Sequence, residues 1–418
     1  MKEYFKAADI LLPDFSVCDG GKWAVIACDQ HTGEPEYWES AKKIADGAPS
    51  TLELILPEVY LGESERRIPE INRKMDEYLK SVLRERRGSM IYLERTLGSG
   101  VVRRGIVGCI DLEDYEYTKG ATSLVRATEG TVLDRIPPRV AIRRGASVEL
   151  PHVMVLIDDP EATVVEPFAS RTDELEAAYD FELMLGGGSI KGYYVEGAEQ
   201  EKINSALAAL ITPEAIRAKY GADYEPLLFA VGDGNHSLAT AKALWQEVKA
   251  SLSDKEAYHP ARYALVEIVN LHDAALEFEP IYRVMMGVDP EDVLSSLREY
   301  ASALCGGESA QKIEFMHADG EGIITVERPA LQLTVGTLQD FIDKYLAAHP
   351  GAEVDYIHGE DVTRALGKKA DSIGFIFDGM SKDQLFKTVI CDGALPRKTF
   401  SMGHAEDKRY YLECRKIK

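Results

Sequence analysis

The chain has 418 residues, which is long enough for one large fold or for two to three lobes of ordinary size. Hydrophobic residues make up 45% of the sequence and charged residues 28%, as in an ordinary folded globular protein. The formal net charge of −22 argues against a sequence-independent grip on a phosphate backbone, so no nucleic-acid partner is expected. A small anionic ligand would need a local pocket of cations, backbone amides or a divalent metal.

The six cysteines lie far apart and form no CxxC pair, which indicates reduced thiols rather than a zinc ribbon or a disulfide framework. The sequence contains no run of eighteen uncharged apolar residues, and its first eight residues carry charges. We therefore expect a cytoplasmic protein without a membrane partner.

The first clear unit places two polar residues at the end of a strand. The apolar run 24–28 (AVIAC) predicts a buried strand, and a helix is predicted to begin near Pro35. Asp29 and His31 stand in the loop between them, where either a ligand site or an ordinary turn accounts for the sequence.

The segment 91–112 predicts an antiparallel hairpin, with a turn at Gly98-Ser99-Gly100. Residues 174–185 predict a helix whose C-terminal cap is the triple glycine 186–188, followed by a strand at 192–196. Antiparallel pairing beside α/β units predicts mixed sheets in the α/β class. We divide the chain into an N-terminal α/β half, 1–195, with the antiparallel hairpin, and a C-terminal α/β half, 196–418; the alternative is a single domain over the whole chain.

In the C-terminal half, residues 205–220 predict a helix and the compact apolar run 227–231 predicts a buried strand. Beyond the loop that follows this strand, further elements are predicted as strands at 263–270, 322–327 and 372–377, and as helices at 290–304 and 338–349.

The strand 227–231 leads directly into Gly232-Asp233-Gly234-Asn235-His236-Ser237 and then into a helix. The two glycines allow positive dihedrals and close approach of a ligand, while Asn235 and Ser237 are natural helix N-caps. Free amides at a helix start bind anions, so an acidic protein can still hold phosphate here. Asp233 would bind a divalent ion or act as a base, and His236 would move a proton; a plain helix cap explains the same residues.

Four stretches in order along the chain resemble landmarks of the domain-of-unknown-function 1015 family. The segment Gly232–Ser237, called the signature loop below, resembles its Asp-Gly-His-His-Arg element. The hairpin end 108–115, the stretch 125–130 with Asp134-Arg135, and the segment 395–400 resemble its Asp-Tyr, Arg-His-Glu and Pro-Lys landmarks. By this resemblance Glu129 joins the catalytic candidates, and Arg126, Arg135 and Lys398 join the ligand-binding ones.

The chain departs from the family pattern at the signature loop, because Asn235 replaces the first histidine and Ser237 replaces the arginine. The cation expected beside a phosphate is therefore missing from the loop. Lys398 is the remote cation that we consider as its substitute.

The signature loop is also similar to that of the free-serine kinases of the ParB and sulfiredoxin superfamily, which implies a related core element and phosphoryl transfer to a hydroxyl such as that of serine. Phosphoryl transfer calls for ADP or ATP, usually with Mg²⁺, and for an acceptor-orienting carboxylate, for which Glu129 and Asp29 are candidates. The alternatives are a non-catalytic sensor of a metabolite or nucleotide, and a phosphate-releasing hydrolase.

Overall fold

The computed structural model describes residues 2–131, 133–254, 258–307, 309–403 and 405–418, apart from the side chain of Arg135. The chain forms two compact units, Met1–Leu276 with His404–Lys418 and Glu277–Gly403. None of the described helices is long and apolar enough to cross a membrane.

Fourteen strands belong to the described part of the first unit. They are β1 (Ala8–Pro13), β2 (Val25–Ile26), β3 (Leu83–Thr96), β4 (Val102–Asp111), β5 (Tyr115–Glu116), β6 (Val125–Ala127), β7 (Val148–Glu149), β8 (Met154–Ile157), β9 (Ala177–Glu182), β10 (Ser189–Val195), β11 (Phe229–Asp233), β12 (Tyr263–Asn270), β19 (Tyr410–Tyr411) and β20 (Arg415–Lys416). The strands of the second unit are β13 (Phe278–Met286), β14 (Gln311–His317), β15 (Gly320–Val326), β16 (Glu353–His358), β17 (Ser372–Ile376) and β18 (Phe400–Met402).

Helices accompany both sets of strands. Those of the first unit are α1 (Gly20–Trp23), α2 (Pro35–Ala45), α3 (Ser64–Ser81), α4 (Ile136–Gly145), α5 (Ala198–Leu210), α6 (Pro213–Tyr220) and α7 (Asn235–Ser251). Those of the second unit are α8 (Pro290–Ala303), α9 (Thr334–Ala348), α10 (Glu360–Gly367) and α11 (Lys382–Asp392).

A ten-stranded mixed sheet organises the first unit, in the order β5-β6-β11-β8-β12-β4-β3-β10-β9, with β1 paired to β3. Strand β11 is parallel to β6 and antiparallel to β8, and β12 is parallel to β8 and antiparallel to β4. The predicted α/β class with mixed sheets is confirmed. The sheet contains strands from both sides of residue 195, because β4 pairs with β12, and the division of the chain into two halves stays a prediction.

Both faces of the large sheet bury apolar side chains. Ile91 and Val107 belong to one hydrophobic cluster, whereas their strand neighbours Tyr92 and Ile106 belong to a second one. Successive side chains of a strand point to opposite faces, so these clusters lie on the two sides of the sheet. Leu238, Ala241 and Trp245 of α7 are buried in the second cluster, so this face of the helix packs against the sheet.

The second unit is built on a six-stranded sheet in the order β15-β14-β17-β13-β16, with β18 paired to β13. The predicted strands at 263–270, 322–327 and 372–377 and the predicted helices at 290–304 and 338–349 are confirmed, with shifts of a few residues at their ends.

The prediction of a helix at residues 174–185 is wrong, because this segment forms strand β9, whose Phe181 pairs with Ile190 of β10. The triple glycine makes the turn of that hairpin rather than a helix cap. Gly188 has a φ of 75°, and a Cβ there would lie 2.0 Å from the Thr96 carbonyl oxygen. Pairing within the sheet overrides the local helical pattern.

The prediction of one helix at 205–220 is also corrected, because two helices, α5 and α6, occupy this part of the chain. The side chain of Thr212 accepts a hydrogen bond from the amide of Ala215, and Pro213 follows it at the first helical position. An N-cap followed by proline starts a new helix.

Buried ion pairs tie the C-terminal segment to the large sheet. The guanidinium of Arg409 lies 2.9 Å from a carboxylate oxygen of Glu267 on β12 and 2.6 Å from one of Glu413. All three side chains are at most 4% exposed. Removing one partner from such a group leaves a charge buried without compensation.

We therefore expect Arg409→Met to lower the free energy of unfolding by about 3–5 kcal/mol, because two buried glutamates lose their main partner. Urea denaturation at neutral pH measures this change. Arg144→Met is the control, since Arg144 and Glu247 form an exposed pair, and its removal should cost less than about 1 kcal/mol. Similar decreases in the free energy of unfolding of the two variants would contradict the view that the Arg409 ion pairs are buried and stabilising.

Candidate functional site

The signature loop connects β11 to α7 and contains two glycines, one required by its backbone conformation and the other by close packing. Gly234 has a φ of 82° and stands at the N-cap of α7 without a side-chain cap, so the prediction that Asn235 and Ser237 cap this helix is wrong. Gly232 is not among the residues with positive φ, contrary to expectation. A Cβ at Gly232 would lie 2.9 Å from Cγ of Leu156, so close packing requires this glycine.

The first turn of α7 presents unpaired polar groups. Within the described residues, the backbone amides of Asn235 and Ser237 find no hydrogen-bond acceptor, and Oδ1 of Asn235 is buried without a donor. No acidic residue stands in this turn. The start of a seventeen-residue helix with open amides favours an anionic group.

Lys408 supplies the cation that the loop itself lacks. Its Nζ lies 3.6 Å from Oδ2 of Asp233, and its side chain is 16% exposed. This separation is longer than a hydrogen bond, and within the described part of the chain the Lys408 ammonium donates no hydrogen bond. Its donors are therefore open to a ligand beside Asp233.

Two buried arginines hold the backbone around Lys408. Arg95 donates to the carbonyls of Lys408 and Glu406 at 3.2 and 2.9 Å, and Arg103 donates to the carbonyl of Asp407 at 2.7 Å. Burial, with Arg103 nearby, lowers the pKa of Arg95 to about 9, so Arg95 remains charged at neutral pH. The position of Lys408 is thus fixed by charged donors that bind main-chain oxygens.

Asp29 follows β2, as the sequence predicts, and lies beside His152. Oδ2 of Asp29 is 3.6 Å from Nε2 of His152, and Oδ1 of Asp29 accepts a hydrogen bond from the side-chain amide of Gln30 at 3.0 Å. Burial raises the pKa of Asp29, but His152, Gln30 and Lys408 outweigh burial and hold that pKa below its ordinary value of 3.8. The Asp29 carboxylate is therefore ionised at neutral pH.

His152 connects this carboxylate to Tyr411 and to the signature loop. Its Nδ1 lies 2.7 Å from the Tyr411 hydroxyl, which lies 3.0 Å from Sγ of Cys28. A Cβ at Gly234 would come within 3.4 Å of the His152 ring, so the ring lies against the start of α7. Sequence reasoning missed His152 and Lys408, because neither stands in a recognisable motif.

The thiol of Cys28 stays protonated, because burial, with Asp29 nearby, raises its pKa to about 12. A neutral thiol is a poor nucleophile. Cys28 therefore packs against Tyr411 and contributes no reactive sulfur.

His31 lies in the same loop as Asp29 but makes its own contacts. Its φ is 49°, its ring stacks on Tyr37 at a centroid distance of 3.7 Å, and its Nδ1 lies 3.3 Å from a Glu34 oxygen. The buried Nε2 of His31 has no hydrogen-bond partner within the described residues. A ligand role for His31 stays a prediction.

Glu129 lies at the same edge of the sheet as Asp233. Strands β6 and β11 are parallel, with Ala127 opposite Val231, and the Thr128 hydroxyl donates to the Val231 carbonyl at 2.6 Å. The carboxyl ends of parallel strands meet at one edge, where Asp233 ends β11 and Glu129 follows β6.

Arg126 forms its hydrogen bonds with backbone carbonyls of the protein. Its guanidinium donates to the carbonyls of Ser123, Glu225 and Pro226 at 2.8–3.2 Å, which accounts for this buried charge without a ligand. The side chain of Arg135 lies outside the described residues, and Lys398 stands in an exposed turn of the second unit. The ligand contacts of these three residues, and the catalytic role of His236 in the first turn of α7, stay predictions.

Among the described residues, no group of three or more histidine, cysteine or carboxylate side chains is placed to hold a metal ion. Asp233 and Asp29 are instead balanced by Lys408 and His152.

Several solved structures are similar to parts of this chain at low identity. A conserved hypothetical protein from Pyrococcus furiosus is 12% identical with a TM-score of 0.34, over 74% of this chain and 94% of that one. A free serine kinase in complex with AMP is 11% identical with a TM-score of 0.37, over 74% of this chain and 91% of that one.

SbnI with a C-terminal truncation, from Staphylococcus aureus, is 10% identical with a TM-score of 0.33, over 71% of this chain and 82% of that one. Likenesses this distant assign no function. No curated protein matches the sequence. The model of the family described as "Protein of unknown function (DUF1015)" matches residues 13–416, and the chain therefore belongs to the DUF1015 family.

Proposed function

We propose that this protein binds the phosphate groups of a nucleotide or another phosphorylated small molecule at the start of α7 and transfers a phosphoryl group to a small hydroxyl acceptor. The observation that carries the proposal is the position of Lys408, whose unbonded ammonium stands 3.6 Å from Asp233 at the signature loop. Phosphoryl transfer depends mainly on positioning and on compensation of phosphate charge, and both call for such a cation.

The phosphate side of the proposed site combines Lys408 with the open amides of Asn235 and Ser237. Backbone donors at a helix start and one ammonium provide both hydrogen bonds and positive potential for phosphate oxygens. In a chain with a net charge of −22 this local arrangement is what allows an anionic ligand to bind.

The acceptor side is assigned to Asp29. Its side chain is 31% exposed, whereas that of His152 is 7% exposed, so a substrate reaches the carboxylate first. The acceptor oxygen attacks phosphorus, the bond from phosphorus to the leaving oxygen breaks, and the hydroxyl proton passes to Asp29. His152 and Tyr411 act as positioning residues that hold Asp29.

The described side chains form no group of three possible metal ligands, and magnesium at phosphoryl-transfer sites is usually held by one or two carboxylates together with substrate phosphates. A magnesium ion would have to arrive on the phosphates of the substrate. The roles of Lys408 and Asp29 above do not depend on that ion.

A binding-only protein is the second candidate, favoured by the contact between Asp233 and Lys408, which offsets a carboxylate otherwise open to a metal. Such a sensor would bind the same ligand without turnover. A hydrolase would release phosphate in the absence of any acceptor.

We expect Lys408→Met to weaken nucleotide binding by about tenfold or more, because the only ammonium placed at Asp233 in the described structure is lost. Isothermal titration of the full chain with ADP, ATP and CTP in the presence of magnesium measures the effect. Lys398→Met is the matched control, since Lys398 lies in an exposed turn of the second unit. Absence of binding to the wild type, or equal losses in both variants, would overturn the phosphate site.

We expect Asp29→Asn to abolish turnover while nucleotide affinity changes little, because Asp29 contacts the acceptor rather than the phosphates. ADP formation from ATP with serine as the first acceptor, and phosphate release without an acceptor, are measured in parallel. No turnover in the wild type with intact binding supports the sensor, and phosphate release that needs no acceptor supports the hydrolase.

His152→Ala tests whether His152 acts through Asp29. Loss of the His152 ring removes the first of the groups that lower the Asp29 pKa, so that pKa moves upward. The active form of Asp29 is the carboxylate, and activity is lost as the pH falls through its pKa. The acid limb of kcat/KM should therefore move to higher pH in this variant. An unmoved limb with reduced stability would show that His152 is only structural.

A further inference from the structure

The second unit contains a cavity that is independent of the proposed phosphate site. Its volume is about 380 Å³, and it lies between the start of β14, the segment leading into α9 and the segment between β17 and α11. Cavities of this size hold small molecules. Its walls include the large apolar side chains of Leu331, Leu333 and Met380 together with polar residues such as Gln311 and Asp378.

The start of α9 offers hydrogen-bond donors to this cavity. The N-cap residue Leu333 provides no side-chain cap, and its carbonyl accepts the amides of Gly336 and Thr337. The amides of Thr334 and Val335, which both line the cavity, find no acceptor within the described residues. The start of a fifteen-residue helix with two open amides favours a carboxylate.

Gln311 lines the same cavity and calls for a donor. The residue is 8% exposed, and its Nε2 donates to the Leu331 carbonyl at 2.8 Å. Because the Leu331 carbonyl can only accept a hydrogen bond, the atom of the Gln311 side-chain amide that faces it must be the nitrogen. The other polar atom of that amide is therefore the oxygen Oε1. This oxygen is buried without a hydrogen-bond donor among the described residues. A ligand group that carries N–H would satisfy it.

The charges of the residues that line the cavity favour a zwitterionic ligand over a polyanion. No lysine or arginine is among the described lining residues, and the carboxylate of Asp378 is exposed at the cavity. A nucleotide or other polyanion would meet repulsion there without a compensating cation. A ligand with one carboxylate and one positive group fits both the open amides and the acceptors.

We propose that this cavity binds a free α-amino acid. Its carboxylate accepts the amides of Thr334 and Val335, and its ammonium donates to Oε1 of Gln311 and faces Asp378. The apolar wall at Leu331, Leu333 and Met380 contacts its side chain. The site would be a second ligand site, distinct from the signature loop.

Titration calorimetry of the full chain with each standard L-amino acid, one at a time, tests the proposal. At least one should bind to the wild type with a stoichiometry of one. Gln311→Leu removes the acceptor and Ala330→Trp places a bulky side chain on the exposed rim, so each should weaken binding by about tenfold or more. Ala348→Trp, at the exposed far end of α9, is the matched control and should bind as the wild type does.

Absence of binding by every amino acid to the wild type would show a cavity that holds only water and would overturn the proposal. Binding that survives both Gln311→Leu and Ala330→Trp would place the amino acid elsewhere and overturn it as well. Because Ala330 is exposed, its variant should fold even if Gln311→Leu does not. Lys408→Met should leave amino-acid binding unchanged, and its loss in that variant would count against a separate site.

Discussion

The attachment of the C-terminal segment to the large sheet is the constraint on which the candidate site depends. Arg409 is buried between Glu267 and Glu413, and Arg95 and Arg103 bind the carbonyls of residues 406–408. Buried guanidinium groups are stable only when every partner is in place. The same contacts that stabilise this segment therefore fix Lys408 next to Asp233, so the fold and the site are coupled.

The acidic character of the chain explains why the proposed phosphate site consists of a few positive groups at short range. With 70 acidic and 48 basic residues, the average field repels anions. Backbone amides at a helix start and a single ammonium act at short range, where they outweigh the more distant charges. The proposed amino-acid cavity uses the same device, since helix α9 also begins with open amides.

Local sequence patterns predict some elements of this fold correctly and others not. The apolar run 227–231 predicts a strand, and the glycines after it predict a turn from strand to helix, because both signals are local. The structure places strand β11 at Phe229–Asp233 and the turn at Gly234, directly before α7. The helix predicted at 174–185 failed because pairing with β10 decides that segment. Hydrogen bonds to a distant strand leave no mark on local periodicity.

Sequence by itself determined the family-like landmarks, the place of the signature loop and the position of Asp29 after a strand, because each depends on neighbouring residues. Only the tertiary structure decided which lysine lies beside the loop. Lys398 was the sequence candidate, whereas Lys408 is the lysine at Asp233. The pairing of Asp29 with His152, far away in the chain, was likewise decided by the fold. Contacts between residues so distant in sequence arise from strand order, which no local pattern of residue types specifies.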